Sequence, residues 1–191
     1  MNSGATVGGY ERLRLFVGLP LPAEARTRIG EWQRRALPDL PDVRAVPEEN
    51  LHVTVAFLGS TPAGAVDSLV SALREAALGM SAPTLTPSSY RETKSVAMIV
   101  LADAAGRAAS LAERVFERLE ALHVFERERR AWLPHVTVAR FRARPRLSPS
   151  VTRLGSISPS EVALYHSVLR PTGAQYEVVE SVALGGSHVG A

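Results

Sequence analysis

The sequence predicts a single domain of mixed helices and strands, built as two related halves that share a functional cleft. Three observations lead there. Strand-like and helix-like segments alternate along 191 residues, 46% of them hydrophobic, enough for a substantial core. The pentapeptide HVTVA occurs twice, at 52–56 and at 135–139. Each copy closes a strand–helix–strand unit, so the repeat is one of structure as well as letters.

The elements read in order. Residues 1–10 (MNSGATVGGY) are small and polar and are expected to be disordered, leaving 11–187 as one bilobal domain. Residues 12–19 (RLRLFVGL) alternate and then turn apolar, as a strand does, and Pro20 and Pro22 end it. Residues 23–36 read as an amphipathic helix, 43–46 as a short strand inside a proline-punctuated loop, and 51–58 as a second full strand. Thr61 and Pro62 resemble a helix start, with the helix running to about Leu78. Strands are expected at 82–90 and 95–101. A helix should cover 103–122, where Leu111, Val115, Leu119 and Leu122 repeat at helical spacing. A strand at 132–141 and two extended segments, 160–169 and 176–184, joined by a turn at 171–173, close the chain.

Composition narrows the chemistry. No apolar run is long enough to span a bilayer as a helix, and the start lacks a basic region followed by an apolar stretch, so the cytoplasm is the expected compartment. The absence of cysteine excludes disulfides, thiolate zinc sites, iron–sulfur clusters and cysteine nucleophiles. The net charge is +3, carried almost wholly by arginine, with Lys94 the sole lysine. Arginine suits phosphate, but a biased genome would produce the same composition.

The repeated pentapeptide carries the chemistry. Side chains alternate faces along a strand, so His52 shares a face with Thr54, and His135 with Thr137, while the valines point into a core. Two imidazoles can supply both base and acid near neutral pH, and two hydroxyls can hold phosphate oxygens as negative charge builds up. A lone histidine on a strand is more often structural; two copies at equivalent places in two half-repeats favour function. No metal is needed, and two histidines without convergent carboxylates make a poor metal site.

These motifs resemble the signature of the two-histidine (2H) phosphoesterases. RLRLFVGLPLP at 12–22, PEENLHVTVAFLG at 47–59, LPHVTVARF at 133–141 and EVALYHSVLRPTGAQYEVVESVALG at 161–185 are similar to the bacterial RNA 2′,3′-cyclic phosphodiesterases, also called 2′-5′ RNA ligases. The resemblance implies a bilobal α+β fold, with two pseudo-symmetric antiparallel sheets around a central cleft and helices outside. It implies His52 as proton donor, His135 as proton acceptor, and Thr54 and Thr137 as phosphate ligands; the local sequences alone do not order the two histidines. It further implies no cofactor, no metal and no membrane. The expected partner is RNA with a 2′,3′-cyclic phosphate end, such as a tRNA half, or a small cyclic nucleotide, acted on by a monomer. The expected product is a 2′-phosphate, with reversible 2′-5′ joining of RNA as an accompanying activity. Alternatives are a phosphodiesterase of small cyclic nucleotides or of ADP-ribose cyclic phosphate, and a non-catalytic RNA-binding module.

Further residues are candidates on weaker grounds. Arg140 follows the second motif as in relatives, but regular alternation aims it away from His135, so only a bulge or strand end would bring it in. Tyr90 is a candidate for base stacking. Tyr165 and His166 could border the cleft, and Phe16 reads more as core than as a stacking platform. Arg142, Arg144 and Arg146 read as a solvated loop rather than a phosphate-tracking edge, His123 as a helix-end residue and His188 as idle.

Overall fold

The computed structural model describes residues 11–39, 42–171 and 173–185; the expected disordered start and His188 lie outside them. The class is α+β. Eight strands are β1 (Arg12–Pro20), β2 (Val43–Ala45), β3 (His52–Pro62), β4 (Thr86–Glu92), β5 (Val96–Ala102), β6 (His135–Phe141), β7 (Glu161–Arg170) and β8 (Gly173–Ala183). Three α-helices are α1 (Ala23–Ala36), α2 (Val66–Ala77) and α3 (Arg107–Ala121). None of them is long and apolar enough to cross a membrane.

The strands pair antiparallel in the order β4-β5-β6-β3-β1-β7-β8, with β2 beside β6. The two halves are plain in this order. Strands β1 and β3 flank α1, and β5 and β6 flank α3, so β3 and β6 are equivalent and meet at the centre. Their ladder pairing is confined, among the described residues, to Val53 opposite Val136. The expected two sheets are therefore joined edge to edge at a narrow seam and part on either side of it.

All three helices cover one face. In α3 the buried positions Ala108, Leu111, Ala112, Val115, Phe116 and Leu119 recur at three- and four-residue steps, the stripe that a helix needs to lie on a sheet. Leu69, Leu73 and Ala76 of α2 and Ile29 and Trp32 of α1 join the same core, against Val17, Val53, Val55, Ile99, Val136 and Val138. The motif valines thus point inward, as alternation requires. Strand β3 runs further than expected, through Thr61, whose side chain is buried; Pro62 then precedes a short 3-10 turn, and α2 begins only at Val66.

Candidate active site

The face away from the helices carries the motif residues. Since Val53 lies opposite Val136, the same antiparallel register sets His52 across from Thr137 and Thr54 across from His135. Four polar side chains are thereby gathered where the halves part.

Each imidazole is fixed by its own chain. His52 Nδ1 lies 2.7 Å from the carbonyl oxygen of Asn50, and His135 Nδ1 lies 2.8 Å from that of Leu133. A carbonyl only accepts, so each Nδ1 carries the proton and donates it. Each Nε2 is left to face the opening; that of His52 is 3.0 Å from Thr54 Oγ1. Two further bonds hold the backbone. Trp132 Nε1 donates to the carbonyl of Thr54 at 3.1 Å, tying the approach to the second motif onto the first. The Asn50 side-chain amide donates to Ala174 O at 2.8 Å, anchoring the first motif to β8.

The two histidines differ in setting. Tyr165 stands opposite Phe16 on the neighbouring strand, and Gly18 opposite Thr54. A Cβ on Gly18 would lie 3.2 Å from His52 Cδ2, so glycine leaves the imidazole room to sink. There it meets Phe16 at 4.8 Å, the rings tilted, and Tyr176 at 5.3 Å, edge to face. The residue opposite Thr137 is Met98, not glycine. Burial, chiefly, pushes His52 down to about 4; the Asn50 carbonyl works against this, and the charges of His135 and Arg140 add to it.

Arg140 reaches the open face by a bulge. Ala97 and Met98 of β5 pair with Ala139 and Thr137, so Val138 is an extra residue, and alternation flips after it. The first motif is bulged alike at Val55, between the pairs Val17–Ala56 and Gly18–Thr54. Phe57 is consequently the counterpart of Arg140: both are exposed on the open face, and Arg14 lies 4.7 Å over the Phe57 ring. Gln33, itself buried, holds the second bulge by donating to Val138 O at 2.7 Å and to Val46 O at 2.9 Å.

Other candidates separate cleanly. Tyr165 and Phe16 lie on the open face, where Phe16 is buried in a small hydrophobic cluster with Tyr165 and Ala163, in keeping with its reading as core. His166 pairs with Leu15 on the opposite face. Tyr90 pairs with Ile99, also on the core side, where it meets Trp32 and donates to Glu92 at 3.0 Å; it does not serve as a stacking platform because its parity is that of the core. Arg144 is bound to the buried Glu92 at 3.0 Å, so it tracks no phosphate. His123 follows α3 with φ 56°. Gly18, Phe57, Gln33 and Tyr176 were not singled out from sequence; the shared letters HVTVA, which carry equal bulges, were the available signal for Phe57. Among the described residues, no three His, Asp or Glu side chains converge as metal ligands.

The sequence and the fold are similar to those of known proteins. The family model described as LigT like phosphoesterase matches residues 19–89. A Thermus thermophilus protein named RNA 2′,3′-cyclic phosphodiesterase is 31% identical over 187 residues, covering 92% of this chain and 92% of that protein. A Geobacillus stearothermophilus protein of the same name is 29% identical over 188 residues; the match covers 93% of this chain but spans only 59% of that relative's length. The crystal structure of TT0787 from Thermus thermophilus superposes with a TM-score of 0.79 at 27% identity, covering 92% of this chain and all of that one.

Proposed function

The chain belongs to the LigT-like phosphoesterase family, whose curated relatives are named RNA 2′,3′-cyclic phosphodiesterases, and from that premise we propose that it hydrolyses RNA 2′,3′-cyclic phosphate ends to 2′-phosphates. The observation that carries the reading is the seam. It gathers two histidines with their Nδ1 protons engaged and two threonine hydroxyls around one opening.

In the proposed reaction His135 Nε2 takes a proton from water as the water oxygen attacks phosphorus. The bond to the 3′-oxygen breaks, and His52 Nε2 gives that oxygen a proton. One P–O bond forms and one breaks, leaving a 2′-phosphate and a 3′-hydroxyl. Thr54 and Thr137 donate to the non-bridging oxygens, where charge gathers, and Arg140 contributes positive charge from further along the same face. Because His52 is neutral in the free protein at neutral pH, the donor role requires the bound phosphate's negative charge to raise its pKa. Replacing the attacking water by a 5′-hydroxyl, with the same bond to the 3′-oxygen broken and the same proton given to it, would give 2′-5′ joining. All four motif side chains come from one chain, which supports a monomer as the working unit.

The test is incubation of a short RNA ending in a 2′,3′-cyclic phosphate, in EDTA, with separation of the monophosphate isomers released after digestion. A 2′-phosphate product is expected. No hydrolysis would remove the reading, and predominant 3′-phosphate would reverse the substrate's orientation between the histidines.

A further inference from the structure

The half of the open face around His135 carries arginine where the other half carries aromatic rings. Arg44 of β2 lies directly opposite Arg140 of β6, and both are exposed. Directly opposed residues of an antiparallel pair point to the same face, with Cβ atoms about 5 Å apart, and like charges placed so destabilise the pair. Nothing compensates them: among the described residues neither forms an ion pair with a carboxylate. On the other side of Arg140 stands Val96, which offers no charge. The bulge at Val138 puts this arginine pair on the face of Thr137, displaced along β6 by about 7 Å, two strand rises.

We propose that Arg44, beside Arg140, is a binding subsite for the phosphodiester one nucleotide back from the reacting end. This rests on the reading of the seam as a site for cyclic phosphate ends of RNA. The cyclic phosphate is the 3′ terminus, so the only further phosphates lie on the 5′ side of the terminal ribose. One nucleotide of extended backbone covers a distance of the order that separates Thr137 from the arginine pair. A phosphate oxygen lying between the two guanidiniums offsets their repulsion and takes charge-assisted bonds from both. The consequence is specificity: the protein prefers ends of RNA chains to cyclic mononucleotides, which have no phosphate to place there.

The experiment compares kcat/KM for a cyclic-ended tetranucleotide with that for a 2′,3′-cyclic mononucleotide, in the wild-type protein, Arg44→Gln and Arg44→Lys. The tetranucleotide preference should fall about tenfold in Arg44→Gln, as expected on losing a charged hydrogen bond, and recover in part in Arg44→Lys, which keeps the charge but not the planar fork. The salt dependence of tetranucleotide binding should weaken by about 0.7 in log–log slope, one phosphate contact on a single strand. Affinities for the tetranucleotide 2′-phosphate and the 2′-mononucleotide, measured without turnover, read the subsite independently of catalysis. An Arg44-dependent binding preference in a protein that hydrolyses neither substrate would overturn the proposed reaction and keep the subsite. Hydrolysis with an unchanged preference in Arg44→Gln would overturn the subsite and keep the reaction. Loss of preference in Arg91→Gln instead, on the far side of Met98, would also overturn it by placing the strand's path across β4.

Discussion

Gly18 lies opposite Thr54, and a Cβ there would stand 3.2 Å from His52 Cδ2 and 3.1 Å from the carbonyl oxygen of Val53. Both separations are tighter than ordinary van der Waals contact. The backbone carbonyl belongs to the seam and can shift little, so the imidazole is the part that moves. Gly18→Ala should therefore displace His52, and Gly18→Val should do so further. The expected loss in kcat/KM is about 10-fold for alanine and about 100-fold for valine, since misplacement by an ångström costs that order. Urea unfolding separates this from a folding defect. Wild-type turnover in a folded Gly18→Val protein would show that His52 does not depend on the space.

The histidines themselves give a sharper test. His52→Ala and His135→Ala each remove one proton-transfer partner, worth about 10²–10⁴-fold. The two act as a unit, so the double variant should be little worse than either single one. Multiplicative losses would mean that they work in separate steps.

Thr54→Ala and Thr137→Ala should each lower kcat by about 10–10³-fold, by removing a donor to the developing charge. Serine should restore much of it. At position 54 the loss has a second origin, because the hydroxyl also meets His52 Nε2 at 3.0 Å. If alanine and serine act alike at both positions, the threonines serve strand packing instead.

Glu92 offers a test of the scaffold. Its side chain is 1% exposed and accepts from Arg144 Nε, the Arg146 and Leu147 amides and the Tyr90 hydroxyl. Burial alone would push this carboxyl up, but those four donors outweigh it and hold it below its ordinary value. Its contribution is therefore present above the ordinary carboxylate range and is lost as pH falls through the lowered pKa. Glu92→Gln turns two acceptors into one and faces a donor with donors, costing about 2–4 kcal/mol. Chemical denaturation should show that loss; an unchanged midpoint would mean that the loop after β6 holds itself.

Much of this was legible before the structure. The bounds of α1 and the existence of every strand follow from periodicity and proline, because those signals are local. The two motifs were legible because alternation puts His and Thr on one face and valine on the other. What alternation could not show is where it stops. The bulges at Val55 and Val138 depend on pairing with β1 and β5, partners distant in sequence, so Arg140 and Phe57 take the face that a regular strand would deny them. Tyr90 misled for the complementary reason: its strand is edge-paired to Ile99, and only the register shows that its side chain points to the core. Nothing local in the sequence marks Gly18, whose role depends on its register with Thr54 and its approach to His52.

Folding lowers the proton affinity of His52. Burial pushes its imidazole down to about 4 in the folded protein, against an ordinary value of 6.5. Between these values the unfolded chain binds a proton that the folded one refuses, so stability rises with pH across that window. The contribution is complete above the unfolded value, falls as pH drops from 6.5 toward 4, and levels off below. Its size is on the order of 2–4 kcal/mol. Comparing urea unfolding at pH 4.5 and 7.5, the difference between the two should shrink in His52→Gln. The same depression bears on catalysis. A donor must hold its proton when substrate is bound, and the phosphate's negative charge works in that direction on His52. Binding of a 2′-nucleotide at pH 6 should therefore take up protons, seen as a heat that depends on the buffer's ionisation enthalpy. The imidazole proton resonance of His52 should move its midpoint upward in the same complex. If that midpoint stays near 4 with nucleotide bound, His52 is neutral throughout the cycle at neutral pH. It would then be the base, His135 the acid, and attack would come from the opposite side of phosphorus.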